Sequence, residues 1–324
     1  MDIEAVDIKR MCARVVVLLS LAFATLPGLA TEGLRPVAGT LDSIGSETLA
    51  GLMLRWGEAL EREHPGVRLQ LQASGSATAP AALAAGTTRL GPMSRPMSAA
   101  ERDDFRRRQG HEPLQIPVAM DALAVFVHRH NPLASLSLAE VDAIFSDTRR
   151  CGEANVGTWR DLAIPGATLT GPIDRHGRNS VSGSHGIFRG TALCGGDFRL
   201  DVNEHPGSST VVAAVASAPG GIGYAGLGYV TPGVRAVPLR QGNRTAVAAN
   251  AETTLSGDYP LSRTLYLYVN LPPGERLPGP ERAFVDLVLS PRGQAIVVET
   301  GFVALPDEQL QAARRQLGLA PPPR

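Results

Sequence analysis

Apolar residues along the chain recur in two patterns, one typical of amphipathic helices and the other of β-strands. Helical spacing relates the apolar positions of one early segment, Leu49, Leu52, Met53, Trp56 and Leu60. Residues 67–71 then alternate between apolar and polar side chains, as a strand does, and further strands are predicted over residues 122–127 and 263–270. Because helical and strand-like segments alternate along the sequence, the pattern predicts an α/β fold with mostly parallel sheets.

Helix starts are marked by two capping boxes, in which a serine hydroxyl and a glutamate three residues later each bond to the other's backbone. Ser98 with Glu101 predicts one such start, and Ser137 with Glu140 predicts another. Residues 290–301 predict the last helix of the chain, with proline at its first position and glycine after its end.

Chain length and composition allow one large core or two modest ones, since 44% of the 324 residues are hydrophobic. No polar linker divides the sequence. The sequence therefore predicts two domains between which the chain crosses, with hinge strands near residues 120–127 and 259–270.

The charge balance disfavours a nucleic-acid partner. Lys and Arg number 31 and so do Asp and Glu, which gives a formal net charge of zero instead of a basic excess.

The N-terminus has the pattern of a secretory signal peptide over residues 1–30. Lys9, Arg10 and Arg14 precede an apolar run at 15–24, and small residues follow it before a cleavage point. Translation starts at Met1 or Met11, and no later stretch is long and apolar enough to cross a membrane. We expect a mature chain that is soluble and exported.

Two cysteines, Cys151 and Cys194, remain after such cleavage. In an oxidising compartment an even pair is most simply a disulfide, with free thiols as the alternative. No His or Cys lies at ligand spacing near either residue, so neither a metal site nor a cofactor is expected.

The most informative segment runs from Gly177 to Ser184, between a strand predicted at 169–173 and a helix predicted to begin near His185. A helix start presents unpaired N–H groups and the positive end of the helix dipole, and Arg178 adds a charged, planar set of donors. This combination suits a tetrahedral oxyanion. For an isolated Ser-Gly-Ser turn, ordinary helix capping explains the same residues.

Two other turns share this design, at residues 45–49 and 74–76, where hydroxyls again precede a helix. Each turn alone is explained by capping. Three of them in one exported α/β chain favour a common binding site.

In motif order, residues 39–306 resemble the periplasmic phosphate-binding proteins that serve ABC-type phosphate uptake. The motifs that carry this resemblance are Gly45-Ser46-x-Thr48 before a helix with Trp56, Gly75-Ser76, Ser94-Arg95-Pro96, Arg178 followed by Ser182-Gly183-Ser184, and Ile222-Gly223-Tyr224. The resemblance implies a type II periplasmic-binding-protein fold with two mostly parallel sheets, flanked by helices and joined by two hinge strands. The implied domains are residues 31–121 plus 263–324, and residues 122–262.

The same resemblance implies a monomer in the periplasm that captures inorganic phosphate between its domains and delivers it to an inner-membrane ABC permease, without catalysis. Carried over by position, the phosphate-binding residues are Ser46, Thr48, Leu49, Ser76, Ser94, Arg178, Ser182, Gly183 and Ser184. Thr48 and Leu49 would offer hydroxyl and backbone donors, Ser76 a second hydroxyl, and Arg178 a bidentate contact. Residues 182–184 would supply donors at a helix terminus.

One position departs from the pattern, because Ser94 occupies a slot that holds Asp in some members of the family. An Asp there accepts the proton of phosphate and repels fully ionised sulfate, whereas a serine can still accept that proton but adds no charge repulsion against sulfate. Glu47 and Asp42 are the candidate replacements, although either carboxylate is also explained as solvent-facing.

Three alternative functions stay open at the level of the sequence. A receptor or sensor for sulfate, another oxyanion or a small carboxylate would keep the fold, as would an attachment protein in which anion binding is vestigial. A secreted phosphatase would use Ser184 as nucleophile with His185 as base, but adjacent residues on a helix point apart.

Overall fold

The computed structural model describes residues 37–166 and 168–320. The predicted signal peptide, residues 1–30, lies outside the described residues. Within the part of the chain that is described, none of the helices combines the length and the apolar character needed to cross a bilayer.

Strands are found at the following positions: β1 (Ala38–Ile44), β2 (Gly66–Gln72), β3 (Gly91–Met93), β4 (Leu114–His128), β5 (Leu136–Ser137), β6 (Asp174–Arg178), β7 (Asn203–His205), β8 (Gly221–Gly226), β9 (Val234–Ala236), β10 (Leu239–Arg240) and β11 (Ser262–Val269). The largest sheet has seven strands in the order β3-β11-β4-β8-β6-β7, with β9 added to β4. Two small parallel sheets pair β1 with β2 and β5 with β10.

Helices occupy these ranges: α1 (Ala50–Glu63), α2 (Ala79–Ala84), α3 (Ala99–Gln109), α4 (Leu138–Phe145), α5 (Gly183–Ile187), α6 (Ser208–Ser217), α7 (Ala251–Ser256), α8 (Gly279–Val288), α9 (Pro291–Glu299) and α10 (Asp307–Gln316). Helices and strands thus alternate, and the α/β fold class is confirmed, but the largest sheet is mixed and not mostly parallel as predicted. The long strand β4 pairs antiparallel with β11, β8 and β9, whereas β6 pairs in parallel with β7 and β8.

Both predicted capping boxes form. At the start of α3 the Glu101 N–H donates to Ser98 Oγ over 3.2 Å, and the Ser98 N–H donates to the Glu101 carboxylate over 2.7 Å. Ser137 and Glu140 make the same reciprocal bonds at the start of α4, over 3.0 and 2.7 Å.

Two local predictions were wrong. The strand expected at 169–173 lies instead at Asp174–Arg178, because Pro172 has no N–H for a ladder and makes only an isolated bridge to Thr158. Residues 290–301 are not the last helix, since α10 follows; the sequence analysis also missed α8.

The buried apolar residues form two main clusters. The first core draws its members from residues 41–119 and 265–319, and the second draws its members from residues 122–261. We call the corresponding parts of the chain the first lobe and the second lobe. Strand β4 contributes Val118 to the first core and Leu123 to the second, so the two cores meet along this strand. The predicted domain boundaries at 121/122 and 262/263 stay a prediction.

A disulfide joins Cys151 to Cys194 in the second lobe, with a Cα–Cα distance of 5.6 Å. This confirms the predicted pairing. The bond ties the segment that follows α4 to the segment that follows α5, 43 residues later.

Candidate functional site

Three of the turns identified in the sequence meet where the two lobes touch. Strands β1 and β2 are parallel, so their carboxyl ends lie at one edge and lead to Thr48 and Ser76. From the second lobe, α5 brings Ser184, whose Oγ lies 3.3 Å from Thr48 Oγ1. Ser76 Oγ lies 3.2 Å from Ser94 Oγ. All four side chains are 1% exposed or less, so this is a buried cluster of hydroxyls.

Glycines allow the backbones of the two lobes to approach this closely. A Cβ on Gly183 would lie 2.5 Å from Ser76 Oγ and closer still to Ser94 Oγ. Gly75 has φ +117°, and a Cβ there would lie 2.6 Å from the carbonyl oxygen of Val181. Any larger residue at position 183 therefore forces the lobes apart or displaces the hydroxyls.

Ser182 caps helix α5. Its Oγ accepts a hydrogen bond from the Ser184 N–H over 3.1 Å, which satisfies one of the free donors of the helix start. Ser184 therefore faces the first lobe through its hydroxyl, while its backbone N–H is already bonded.

Arg178 ends strand β6 and is held on several sides. Its backbone N–H donates to the Tyr224 hydroxyl over 3.1 Å, Nη1 donates to Ser208 Oγ over 2.7 Å, and Nη2 donates to the Pro206 carbonyl over 2.9 Å. Nη1 also forms an ion pair of 2.7 Å with Glu47, which belongs to the first lobe. The buried Nε has no hydrogen-bond partner among the described residues. The side chain is thus fixed, with one donor left for an acceptor.

Burial lowers the pKa of the Arg178 guanidinium, and the carboxylate of Glu47 opposes that shift. A guanidinium keeps its charge across the physiological pH range in either case. Arg178 therefore supplies a permanent positive charge at the lobe interface.

Ser46 and Leu49 are both buried. The Ser46 N–H donates to the Pro92 carbonyl over 2.7 Å, which ties the turn to β3. Helix α1 begins at Ala50, so the turn at residues 45–49 lies directly before it. The Leu49 side chain packs in the first core.

Glu47 is one of the two carboxylates that were considered as replacements for the Asp missing at Ser94, and it lies at the lobe interface. Glu47 is bonded to Arg178 and accepts the N–H and the hydroxyl of Ser208 at the start of α6, over 3.1 to 3.2 Å, so it does not simply face solvent. Asp42 bonds to its neighbours through its backbone carbonyl, which accepts the Thr88 hydroxyl over 2.8 Å.

Known proteins share this arrangement of sequence and fold. A family model described as the PBP superfamily domain matches residues 30–292. Phosphate-binding protein PstS of Pseudomonas aeruginosa is 49% identical over 285 residues, which cover 87% of this chain and 88% of PstS. This chain belongs to the phosphate-binding-protein family of the PBP superfamily. Protein SphX of Synechococcus elongatus is 26% identical over 276 residues, which cover 84% of this chain and 79% of SphX.

Solved structures show the same fold. A putative phosphate ABC transporter substrate-binding protein from Clostridium perfringens, solved with bound phosphate, superimposes with a TM-score of 0.69 at 22% identity, over 83% of this chain and 100% of that one. An ABC-type phosphate transport receptor from Vibrio cholerae gives a TM-score of 0.63 at 19% identity, and the match covers 82% of this chain and 100% of that one. The type II binding-protein fold expected for the family is therefore confirmed.

The sequence analysis missed two charged residues of this site, Asp121 and Arg263. They are 1% and 5% exposed and form an ion pair of 2.7 Å. Arg263 Nη1 also donates to Ser184 Oγ over 2.9 Å. One aspartate and one arginine in two separate strands carry no motif, so only the pairing of β4 with β11 brings them to the site.

Proposed function

We propose that this protein binds inorganic phosphate between its two lobes and delivers it to an ABC permease. The observation that carries the proposal is the buried cluster of four hydroxyls together with the fixed guanidinium of Arg178, whose buried Nε has no hydrogen-bond partner among the described residues. A buried donor left unpaired is unfavourable by roughly 1–3 kcal/mol, which an oxyanion acceptor would remove. The phosphate-binding relative from P. aeruginosa and the phosphate-bound structure from C. perfringens support phosphate as that oxyanion.

The contacts favour binding over phosphatase chemistry. A nucleophilic serine needs a base that accepts its proton, whereas Ser184 Oγ receives a hydrogen bond from the Arg263 guanidinium and lies beside Thr48 Oγ1. The His185 ring packs instead on Phe198, with ring centroids 4.5 Å apart. We therefore infer a receptor that holds its ligand by hydrogen bonds and charge.

Phosphate binding couples naturally to closure of the lobes, because the hydroxyl donors come from both sides of the interface. We infer that residues 31–121 plus 263–324 move against residues 122–262 about β4 and β11. The closed form is then the one presented to the permease, and the protein acts as an exported monomer in the periplasm.

A calorimetric titration of the purified protein with phosphate, sulfate, molybdate and citrate tests the proposal. We expect phosphate to bind with micromolar or tighter affinity, and Arg178→Ala to weaken its binding by at least about 100-fold through loss of charge-assisted bonds. Arg235→Ala is the matched control, since Arg235 donates to the carbonyls of Asn131 and Leu133 in the second lobe.

The other ligands separate the alternatives. Tighter binding of sulfate or citrate than of phosphate would assign a different anion to the same site. Turnover of a phosphate monoester that disappears in Ser184→Ala would replace the receptor with an enzyme.

A further inference from the structure

Arg263 reaches both walls of the site from a strand that lies between the lobes. Its Nη1 donates to Ser184 Oγ of the second lobe over 2.9 Å and contacts the Ser94 carbonyl of the first lobe over 3.4 Å. We propose that Arg263 is a second guanidinium ligand for the oxyanion and that Asp121 holds it in position. This inference rests on the proposed function and assigns the residues that complete its charge.

The register of the sheet fixes the orientation of this guanidinium. Arg263 on β11 lies directly opposite Asp121 on β4. Nε and Nη2 of Arg263 both donate to Asp121 Oδ2, over 3.0 and 2.7 Å. One edge of the guanidinium is thereby bound to the carboxylate, and Nη1 is left to face the hydroxyl cluster.

Two guanidinium groups can share one buried site only if their charges are compensated. Glu47 pairs with Arg178 and Asp121 pairs with Arg263, so each positive charge has its own carboxylate. Burial raises the pKa of Asp121, and the charge and hydrogen bonds of Arg263 oppose that shift most strongly, followed by the backbone N–H groups of Leu227 and Ala122. A phosphate dianion placed between the two pairs meets one guanidinium from each.

The contact with Arg263 also orients the hydroxyl group of Ser184. Since its Oγ accepts a hydrogen bond from Arg263, the hydroxyl proton points away from the guanidinium and is available as a donor. Arg263 therefore acts on the anion directly and also orients one of its hydroxyl ligands.

A purely structural role is the competing explanation, because Arg263 and Asp121 also join the two strands that connect the lobes. The two roles differ in what they affect. A structural pair changes the stability of the protein, whereas a ligand and its positioning residue change the affinity for phosphate.

The first test is calorimetric titration of Arg263→Lys with inorganic phosphate. We expect its dissociation constant to rise by at least about 10-fold, since lysine keeps the charge but loses the planar set of donors. Arg175→Lys is the matched control: Arg175 is 3% exposed and donates to the carbonyls of Ile144 and Val156 in the second lobe. Its substitution lowers the melting temperature and leaves the dissociation constant unchanged.

The Asp121→Asn variant distinguishes the effect of the negative charge of Asp121 from its role in positioning Arg263. It also provides a second readout if Arg263→Lys does not fold. Removing a negative charge would by itself tighten the binding of an anion, whereas loss of the positioning carboxylate weakens it. We expect weaker binding by at least about 5-fold, and no further loss when Asp121→Asn is added to Arg263→Lys.

Three results would overturn the inference. These are wild-type affinity in Arg263→Lys, tighter binding in Asp121→Asn, or additive losses in the double variant. An unsubstituted protein that binds no phosphate would overturn the proposed function together with this inference, whereas the other three leave that function intact.

Discussion

We expect Ser94 to influence how the proposed site discriminates between anions of different protonation. Its side chain is fully buried, and its hydroxyl meets Ser76 Oγ 3.2 Å away, so the slot presents a neutral group. A neutral hydroxyl can accept the proton of phosphate but adds no repulsion against sulfate. Selectivity at this position is thus set by one side chain.

Ser94→Asp should therefore increase the discrimination against sulfate. We expect the ratio of sulfate to phosphate dissociation constants at pH 7 to rise by at least about 10-fold, because the carboxylate repels the fully ionised anion. Competition calorimetry with both anions measures this ratio. Ser94→Ala is the control, since it removes the hydroxyl without adding charge and should leave the ratio nearly unchanged. Equal weakening of both anions in Ser94→Asp would contradict the argument.

The packing of helix α5 against the first lobe depends on the absence of a Cβ at Gly183. A Cβ on Gly183 would lie 2.5 Å from Ser76 Oγ across the lobe interface. Gly183 is not among the glycines with positive φ, so alanine is compatible with its own helix. The strain of Gly183→Ala is therefore confined to the contact between the lobes.

We expect Gly183→Ala to raise the dissociation constant for phosphate by at least about 10-fold while the melting temperature without ligand changes little. Calorimetry and thermal unfolding on the same preparation separate the two effects. Gly190→Ala is the matched control, because a Cβ there meets no atom within 4 Å. If both variants bind phosphate equally well, α5 does not limit closure.

The disulfide stabilises the connection between α4 and α5. It spans 43 residues, and on the chain-entropy estimate such a loop contributes about 3–4 kcal/mol. Replacing Cys151 and Cys194 by serine should lower the free energy of unfolding by that amount in a urea titration. The reduced wild-type protein should unfold at the same urea concentration as the double variant. Coincident curves for the oxidised and reduced wild-type protein would show that the bond adds no stability.

Sequence reasoning predicted the elements whose signals are local. The capping boxes at Ser98 and Ser137 depend on contacts three residues apart, and both form. The ion pair of Asp121 with Arg263 joins residues 142 positions apart, and only the β4–β11 register brings them together. Strand β6 was misplaced for a related reason, since its polar sequence is buried by partners that lie far away in the chain.

At the scale of the whole molecule, protonation of two half-buried histidines, His185 and His205, should limit stability in acid. Burial lowers the pKa of His185, and Arg189 lowers it further. Burial likewise lowers the pKa of His205, as do the neighbouring His176 and Arg178, while Asp174 opposes the shift. The folded protein therefore binds protons more weakly than the unfolded chain, so stability is lost as the pH falls from the ordinary pKa of histidine toward the lowered values of the folded state.

We expect the melting temperature to fall between about pH 7 and about pH 5, where an ordinary histidine titrates. His185→Gln and His205→Gln should each flatten that part of the profile. His130→Gln is the control, because His130 is exposed. A profile that keeps its slope in both His185→Gln and His205→Gln would assign the acid sensitivity to carboxylates.

We expect the two lobes to move as whole bodies when phosphate binds. Each lobe has its own apolar core, and the contacts that join them at the site are polar: Thr48 with Ser184, and Glu47 with Arg178 and Ser208. Polar contacts of this kind exchange readily with water, so the closed arrangement needs a ligand to populate it fully. Small-angle X-ray scattering should give a smaller radius of gyration with saturating phosphate than without it. Gly183→Ala should keep the larger radius at the same phosphate concentration. An identical radius in both states of the unsubstituted protein would mean that the lobes are already closed, and phosphate would then have to enter a preformed site.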